Sequence, residues 1–193
     1  MAMSSPSVKT EQTHRPDREI LDRLLLAVGA GDREALARLY EETRGAVYAA
    51  ALGVLGNHHE AQDVTQEAFV RIWENAPGYR SQGSPMAWML TITRNLALMS
   101  LRREGRKGEL TPEEWESIPA GEEQEAAEDR MALREALASL DSEERQIILL
   151  HAVSGLKHRE IAALIERPLS TVLSRYQRGL KKLKKQLEGE EQP

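Results

Sequence analysis

The sequence predicts an all-α fold of two small helical domains joined by an acidic linker, and three observations lead to this prediction. Ala, Leu, Glu and Arg abound, while the 193 residues include only one Phe, four Tyr and three Trp, so local preference favours helix. Apolar residues recur at steps of three and four positions along most of the chain. Charge is segregated, because residues 104–130 carry ten acidic and three basic side chains, whereas 167–185 carry seven basic and no acidic ones.

Composition also narrows the class of protein. Cysteine is absent, which excludes disulfides and thiolate metal sites and is compatible with a reducing cytoplasm. Residues 1–16 are polar and lack the apolar core of a secretory signal, so we expect a disordered leader there. No apolar run approaches the roughly 20 residues that a bilayer span requires. We therefore expect a cytoplasmic protein without membrane insertion.

Four helices are predicted in the first domain, residues 17–103. The first covers 17–28, and the second begins after Asp32, a favourable N-cap, and ends at Gly56. The third covers about 59–75, and a glycine-flanked loop at 78–83 follows it. The fourth begins at Ser84-Pro85 and runs to about residue 103. The apolar residues expected to be buried by this fourth helix are Trp88, Ile92, Leu96 and Met99, and the polar residues expected to be exposed are Thr91, Arg94, Asn95 and Arg102.

The second domain, residues 131–187, is predicted to end in a helix-turn-helix. A helix over 131–140 precedes a helix that begins at Asp141, where Glu144 completes a capping-box pattern, and that ends before Gly155. A compact helix over 160–165, a turn at 167–169 and a basic helix over 170–187 give the helix-turn-helix pattern. Residues 188–193 are predicted to be a C-terminal tail.

The most informative segment is residues 63–73, Asp-Val-Thr-Gln-Glu-Ala-Phe-Val-Arg-Ile-Trp. Helical spacing assigns one face to the core through Ala61, Val64, Ala68, Ile72 and Trp73. The opposite face carries Asp63, Gln66, Glu67 and Arg71. From spacing alone this face is either a solvated surface with an intrahelical Glu67–Arg71 pair or a contact with a partner.

Three segments together resemble the extracytoplasmic-function sigma factors of bacterial RNA polymerase, over about residues 17–187. They are the run at 63–73, the run Ala-Trp-Met-Leu-Thr-Ile-Thr-Arg-Asn-Leu-Ala at 87–97 with Leu-Arg-Arg at 101–103, and Gly-Leu-Lys-His-Arg-Glu-Ile-Ala at 155–162 with Ser-Thr-Val-Leu-Ser-Arg at 170–175. The resemblance implies sigma region 2 in the first domain and region 4 in the second. It also implies a transcription initiation factor that lacks catalytic residues and cofactors. Its implied partners are core RNA polymerase, promoter DNA and an anti-sigma factor.

The resemblance assigns contact residues to three surfaces. Docking on polymerase is assigned to Asp63, Gln66, Glu67 and Arg71. The loop at 78–83 is expected to hold a flipped base of the −10 element, and contacts with that strand are assigned to Arg80, Thr91, Arg94, Asn95, Arg102 and Arg103. Contacts with the −35 duplex are assigned to Ser170, Thr171, Ser174, Arg175, Arg178 and Lys181. Trp88 is interpreted as a core residue rather than a base-stacking platform.

The sequence departs from the family pattern at four positions of the helix-turn-helix. Glu166 occupies a turn position where Gly is usual, and Arg167 stands where an apolar residue is common. Lys157 replaces a helix-capping Ser or Thr, and Leu173 replaces a frequent Lys on the presumed DNA face. These departures bear on the geometry of the turn and on base preference.

Two functions from other classes are alternatives to the one that the resemblance implies. A metal site at His58, His59 and Glu60 is disfavoured, because adjacent residues on a helix point in different directions. The sequence contains no phosphate-binding loop, nucleophile elbow or metalloprotease signature, so no metal or catalytic residue is assigned. A helix-turn-helix regulator that acts without being a polymerase subunit would explain residues 160–178 but not the run at 63–73.

Overall fold

The computed structural model describes residues 17–104, 132–133 and 135–187, and these residues form helices and connecting turns with no strand. The predicted leader, nearly all of the linker and the tail lie outside the described residues. The first domain contains α1 (Arg18–Gly29), α2 (Arg33–Leu55), α3 (His58–Asn75), a 3₁₀ turn (Ala76–Gly78) and α4 (Pro85–Glu104). The second contains a helical turn at 135–138, then α5 (Ser142–Ala152), α6 (His158–Leu164) and α7 (Leu169–Leu187).

Side-chain caps fix where several helices begin. Asp32 accepts hydrogen bonds from the backbone amides of Glu34 and Ala35 at 2.9 and 3.0 Å, which fixes the start of α2. The predicted capping box is present at α5, where Asp141 accepts from the Glu144 amide at 2.8 Å. Each such cap contributes about 1 kcal/mol to helix stability.

The first domain is a four-helix unit whose predicted buried face is confirmed on α3 and differs at one position on α4. Trp88, Ile92 and Leu96 are half-buried and pack against the hydrophobic core, whereas Met99 is 62% exposed. The expectation of burial was therefore wrong for Met99, because α4 is apolar on several sides near its start and periodicity left its rotation poorly defined. The residues of α4 that do fill the core are Met86, Met89, Leu90, Thr93 and Ala97.

Small residues on α2 allow α5 of the second domain to pack directly on the first. Ala46, Ala49, Ala50 and Gly53 follow one another at steps of three, one and three residues, and all four are buried. A Cβ atom added at Gly53 would lie only 3.1 Å from the Gln146 Cα of α5. Apolar side chains of both domains consequently belong to one hydrophobic cluster. This packing was not predicted from the sequence.

The helix-turn-helix forms despite the departures from the family pattern. Glu166 adopts a left-handed backbone with φ of 55°. The Arg167 amide donates to the Ala162 carbonyl at 3.0 Å, and the Glu166 amide donates to the Ala163 carbonyl at 3.4 Å. These bonds are those of a Schellman motif, which ordinarily uses Gly at the left-handed position. The turn therefore keeps its usual geometry at the cost of backbone strain at Glu166.

Candidate polymerase and promoter interfaces

The polar face of α3 is exposed, as predicted, at Asp63, Gln66, Glu67 and Arg71. The Arg71 guanidinium lies 3.6 Å from Glu67 Oε1 and 3.0 Å from Glu74 Oε2. The intrahelical pair that spacing suggested is thus present. Exposed pairs of this kind are worth only about 0.3–0.5 kcal/mol, so a partner with well-placed arginines can displace Arg71 from Glu67 at small cost.

A groove separates α3 from the C-terminal half of α4, and its walls have opposite charge. Asp63 and Glu67 line the α3 side, whereas Arg102 and Arg103 line the α4 side. Met99, expected in the core, lies in this groove instead. The residues assigned to polymerase and two of those assigned to the −10 strand therefore share one continuous surface.

The loop between the 3₁₀ turn and α4 has a buried base and an exposed tip. Tyr79 is 3% exposed, and its ring packs edge-on against Trp88 with centroids 5.0 Å apart. This contact agrees with the assignment of Trp88 to packing. Arg80 is exposed, and its Nη1 donates to the backbone carbonyls of Tyr79 and Pro77 at 2.9 and 3.3 Å.

The α4 residues assigned to the −10 strand divide into two groups. Thr91, Asn95, Arg102 and Arg103 are exposed, but Arg94 is half-buried because α6 packs on α4. Burial lowers the pKa of Arg94, while the nearby Glu166 carboxylate opposes that shift. The Arg94 Nε atom is buried without a hydrogen-bond partner. The expectation of an exposed Arg94 was therefore wrong for this packed arrangement.

The residues of α7 assigned to the −35 duplex also divide. Ser170, Ser174, Arg178 and Lys181 are exposed, and Thr171 is half-buried. Arg175 is half-buried, with Nε 2.7 Å from Glu143 Oε2 and Nη1 3.2 Å from Asp141 Oδ2. Arg175 thus joins α7 to the start of α5, a contact that the sequence pattern did not predict.

A buried carboxylate also holds α7 on α5. Glu144 is 0% exposed, and its Oε2 lies 2.6 Å from Lys182 Nζ, while its Oε1 lies 3.8 Å from Arg178 Nη1. The basic residues of α7 therefore serve two purposes, since some bind α5 and others face outward. Gln177, which is not among the residues assigned above, is exposed on the same outward side of α7. Its place between Ser174 and Lys181 on the same helical face is the signal that could have identified it, and a glutamine amide is suited to reading adenine.

Three aromatic rings join the helices of the second domain. His151 of α5 and His158 of α6 stack with centroids 4.5 Å apart, and Tyr176 of α7 packs edge-on against both. Burial, together with the neighbouring His151, lowers the pKa of His158. The neutral imidazole is therefore the form that the packed domain favours.

Neither a metal site nor a membrane span is found in the part of the chain that the structure describes. No group of three or more His, Cys, Asp or Glu side chains there is arranged to hold a metal ion. His58, considered above as a ligand, is buried and its Nδ1 lies 2.7 Å from the Tyr48 hydroxyl. Within the same residues, each helix is too short or too polar to cross a bilayer.

Comparison with known proteins identifies both halves of the chain. Residues 39–107 match the family model "Sigma-70 region 2", and residues 130–183 match "Sigma-70, region 4". Over 173 residues the chain is 31% identical to the ECF RNA polymerase sigma factor SigK of Mycolicibacterium vanbaalenii, covering 86% of this chain and 88% of the relative. It is 36% identical over 163 residues to the ECF sigma factor SigE of Mycolicibacterium smegmatis, but there it spans only 63% of the relative's length.

Solved structures share the fold. CnrH, in complex with the cytosolic domain of CnrY, aligns with a TM-score of 0.62 and 23% identity over 88% of this chain and 99% of that one. The sigma factor RpoE of Bartonella quintana, in complex with the anti-sigma factor NepR, aligns with a TM-score of 0.62 and 21% identity. The alignment covers 90% of this chain and 99% of that one. The matches to both sigma-70 region models and the 31% identity to SigK show that the chain belongs to the extracytoplasmic-function RNA polymerase sigma factors, which bind core polymerase and direct it to promoters.

Proposed function

We propose that this chain acts in the cytoplasm as a noncatalytic specificity subunit of RNA polymerase. The outer face of α3 binds polymerase. The loop at 78–83 and α4 hold the melted −10 strand, and α7 reads the −35 duplex. The observation that carries this proposal is the exposed row Asp63, Gln66 and Glu67 on a helix whose other face is locked into the core. A rigid helix presents these groups without an ordering cost on binding.

The −10 contacts follow from the groove between α3 and α4. Arg102 and Arg103 supply phosphate contacts, which position a strand, while Thr91 and Asn95 can hydrogen-bond to unpaired bases. Because the acidic wall of the same groove belongs to the docking face, a polymerase helix bound there would lie beside the DNA strand. Polymerase binding would also cover the carboxylates that repel DNA phosphates.

The −35 contacts are proposed for the outward face of α7. We assign base-edge contacts to Ser170, Ser174 and Gln177, and phosphate contacts to Lys181. Arg175 is better suited to holding α7 on α5, because its guanidinium already has two carboxylate partners. This division refines the set that the family resemblance assigned.

Simultaneous contact with both promoter elements requires the two domains to separate. The elements lie about 25 base pairs apart, or ~85 Å along B-form DNA. A compact chain of this length has a radius of gyration of only ~16 Å. The segment 104–130 can span at most about 95 Å when extended, so it is long enough to join the separated domains. We therefore propose that the packing of α5 on α2 is released on the promoter, which would also free Arg94 from α6.

Titration of the purified protein into core RNA polymerase tests the docking assignment. The double variant Gln66→Ala with Glu67→Lys is expected to weaken core binding at least tenfold. It removes the hydrogen-bond acceptor of Gln66, and it puts a positive charge opposite the arginines of the partner. Glu41→Lys on α2 makes the same charge reversal on an exposed residue of another helix and serves as the control. Unchanged core affinity of a folded double variant would refute the docking assignment. Promoter binding by the wild-type protein without any association with core would favour the simple regulator instead.

An anti-sigma partner is proposed as well. The two solved structures described above are both complexes, one with the cytosolic domain of CnrY and one with NepR. We infer that this chain is held inactive by a protein that covers its polymerase-binding face. Affinity purification from the native host, followed by competition between the captured protein and core polymerase, would test this.

A further inference from the structure

The loop proposed to hold a −10 base is fastened to α1, a helix that precedes the residues matched by the region 2 family model. Asp22 of α1 accepts a hydrogen bond at 2.6 Å from the Ser81 hydroxyl on Oδ2 and another from the Tyr79 hydroxyl on Oδ1. These partners lie 57 and 59 positions away in sequence. One carboxylate therefore holds the two residues that flank Arg80.

The rest of the loop base is equally constrained. The ring of Tyr79 is buried and packs against Trp88, which fixes its position. The Tyr79 hydroxyl therefore reaches Asp22 from a fixed position. A Cβ atom added at Gly29 of α1 would lie 2.5 Å from the Ala76 carbonyl oxygen, so α1 approaches the 3₁₀ turn as closely as glycine permits. Hydrogen bonds from Ser81 and Tyr79 lower the pKa of Asp22, which therefore stays ionised and acts only as an acceptor near neutral pH.

The tip of the loop is left open. Ser81, Gln82 and Gly83 are exposed, and a Cβ atom added at Gly83 would meet nothing within 4 Å. Gly83 has a φ of 88°, which lets the chain turn back into α4. A fixed base and an open tip suit a loop that must receive an unstacked base. Ordering such a loop during binding would otherwise cost about 1–2 kcal/mol per residue.

We propose that Asp22 is a positioning residue for −10 recognition, which holds the loop at 78–83 in its base-binding conformation through Ser81 and Tyr79 without contacting DNA itself. This inference rests on the proposed role of the loop and adds α1 to the promoter-melting machinery. Charge-assisted hydrogen bonds of this kind are strong enough that losing them should lower affinity for the unpaired strand about tenfold.

The test uses the full-length protein bound to core polymerase. Asp22→Asn is compared with Glu19→Gln, which removes the same charge from an exposed residue one turn earlier on α1. Two quantities are measured: affinity for a single-stranded −10 oligonucleotide, and the fluorescence rise of 2-aminopurine placed in the −10 element of a duplex promoter. We expect Asp22→Asn, but not Glu19→Gln, to lower the affinity for the −10 oligonucleotide about tenfold and to reduce the fluorescence rise. Core affinity and −35 duplex affinity should be unchanged.

The loop side of the contact provides a second, milder variant. Ser81→Ala should weaken strand binding in the same direction and add little to Asp22→Asn, whereas Ser81→Thr keeps a hydroxyl and should retain most of the affinity. Equal strand affinity for Asp22→Asn, Ser81→Ala and the Glu19→Gln control would overturn the inference while leaving the proposed function intact. Failure of the wild-type complex to bind the −10 strand at all would overturn both.

Discussion

Gly53 is the position at which the contact between the two domains can be tested most directly. Replacing an exposed helical glycine with alanine stabilises a helix by about 1 kcal/mol. Gly45 lies on the same helix, is exposed, and would place a new Cβ with nothing within 4 Å, so Gly45→Ala should show this gain alone. For a chain of this size, that corresponds to a rise of about 2–4 °C in Tm.

Gly53→Ala should behave differently because of α5. Its new Cβ would lie 3.1 Å from Gln146 Cα, a backbone atom that no side-chain rotation can move. This distance is shorter than the usual carbon–carbon packing distance of about 3.5–4.0 Å, so α2 and α5 must move apart by a few tenths of an ångström. Overpacking of this kind costs about 1–3 kcal/mol, which offsets or exceeds the gain in helix propensity.

Urea unfolding of both variants, together with energy transfer between dyes, would measure the effect. The cysteine-free sequence permits specific labelling at introduced Arg38→Cys and Gln186→Cys, one on α2 and one on α7. We expect Gly53→Ala to be about 1–3 kcal/mol less stable than Gly45→Ala and to show a longer mean distance between dyes. Equal stabilisation by both alanines, with no change in energy transfer, would refute the packing of α5 on α2.

Three further predictions concern the second domain. The folded-state pKa of His158 lies below its ordinary value of 6.5. Its contribution to stability is therefore present above pH 6.5 and is lost as the pH falls through the folded-state pKa. A profile of Tm between pH 5 and 8 should show this loss, and His158→Phe should flatten the profile. Glu166→Gly should stabilise the protein by about 1 kcal/mol in urea unfolding by relieving the left-handed strain, and a lower stability would contradict that account. Glu144→Ala should destabilise it by about 2–3 kcal/mol, since it removes a cap and the partner of Lys182, whereas an unchanged urea midpoint would show that this carboxylate does not hold α7.

Local chemistry explains why much of the fold was predictable. Asp32 and the Asp141–Glu144 pair mark helix starts because the amides they satisfy are nearby in sequence. The polar face of α3 was predictable for a similar reason, since its spacing depends only on the helical period. The loop at 78–83 was recognisable from its glycines, although not its attachment to Asp22.

Contacts between distant segments explain what was missed. Arg94 was expected on an exposed face because the α4 pattern contains no information about α6. Met99 was assigned to the core because the apolar residues of α4 fit more than one rotation of the helix. The double role of the α7 basic residues depends on carboxylates more than 30 positions away, so no local pattern distinguishes Arg175 from Lys181.

The row of small residues on α2 that faces α5, here called the alanine and glycine stripe, has a consequence for biosynthesis. Ribosomes add about 5–20 residues per second, so several seconds pass between completion of α2 and emergence of α5, about 90 residues later. During that interval the stripe is uncovered, but each methyl group exposes far less apolar area than a leucine would. The nascent first domain therefore exposes little aggregation-prone surface before α5 is synthesised. The same small apolar area is exposed whenever the two domains separate in the mature protein.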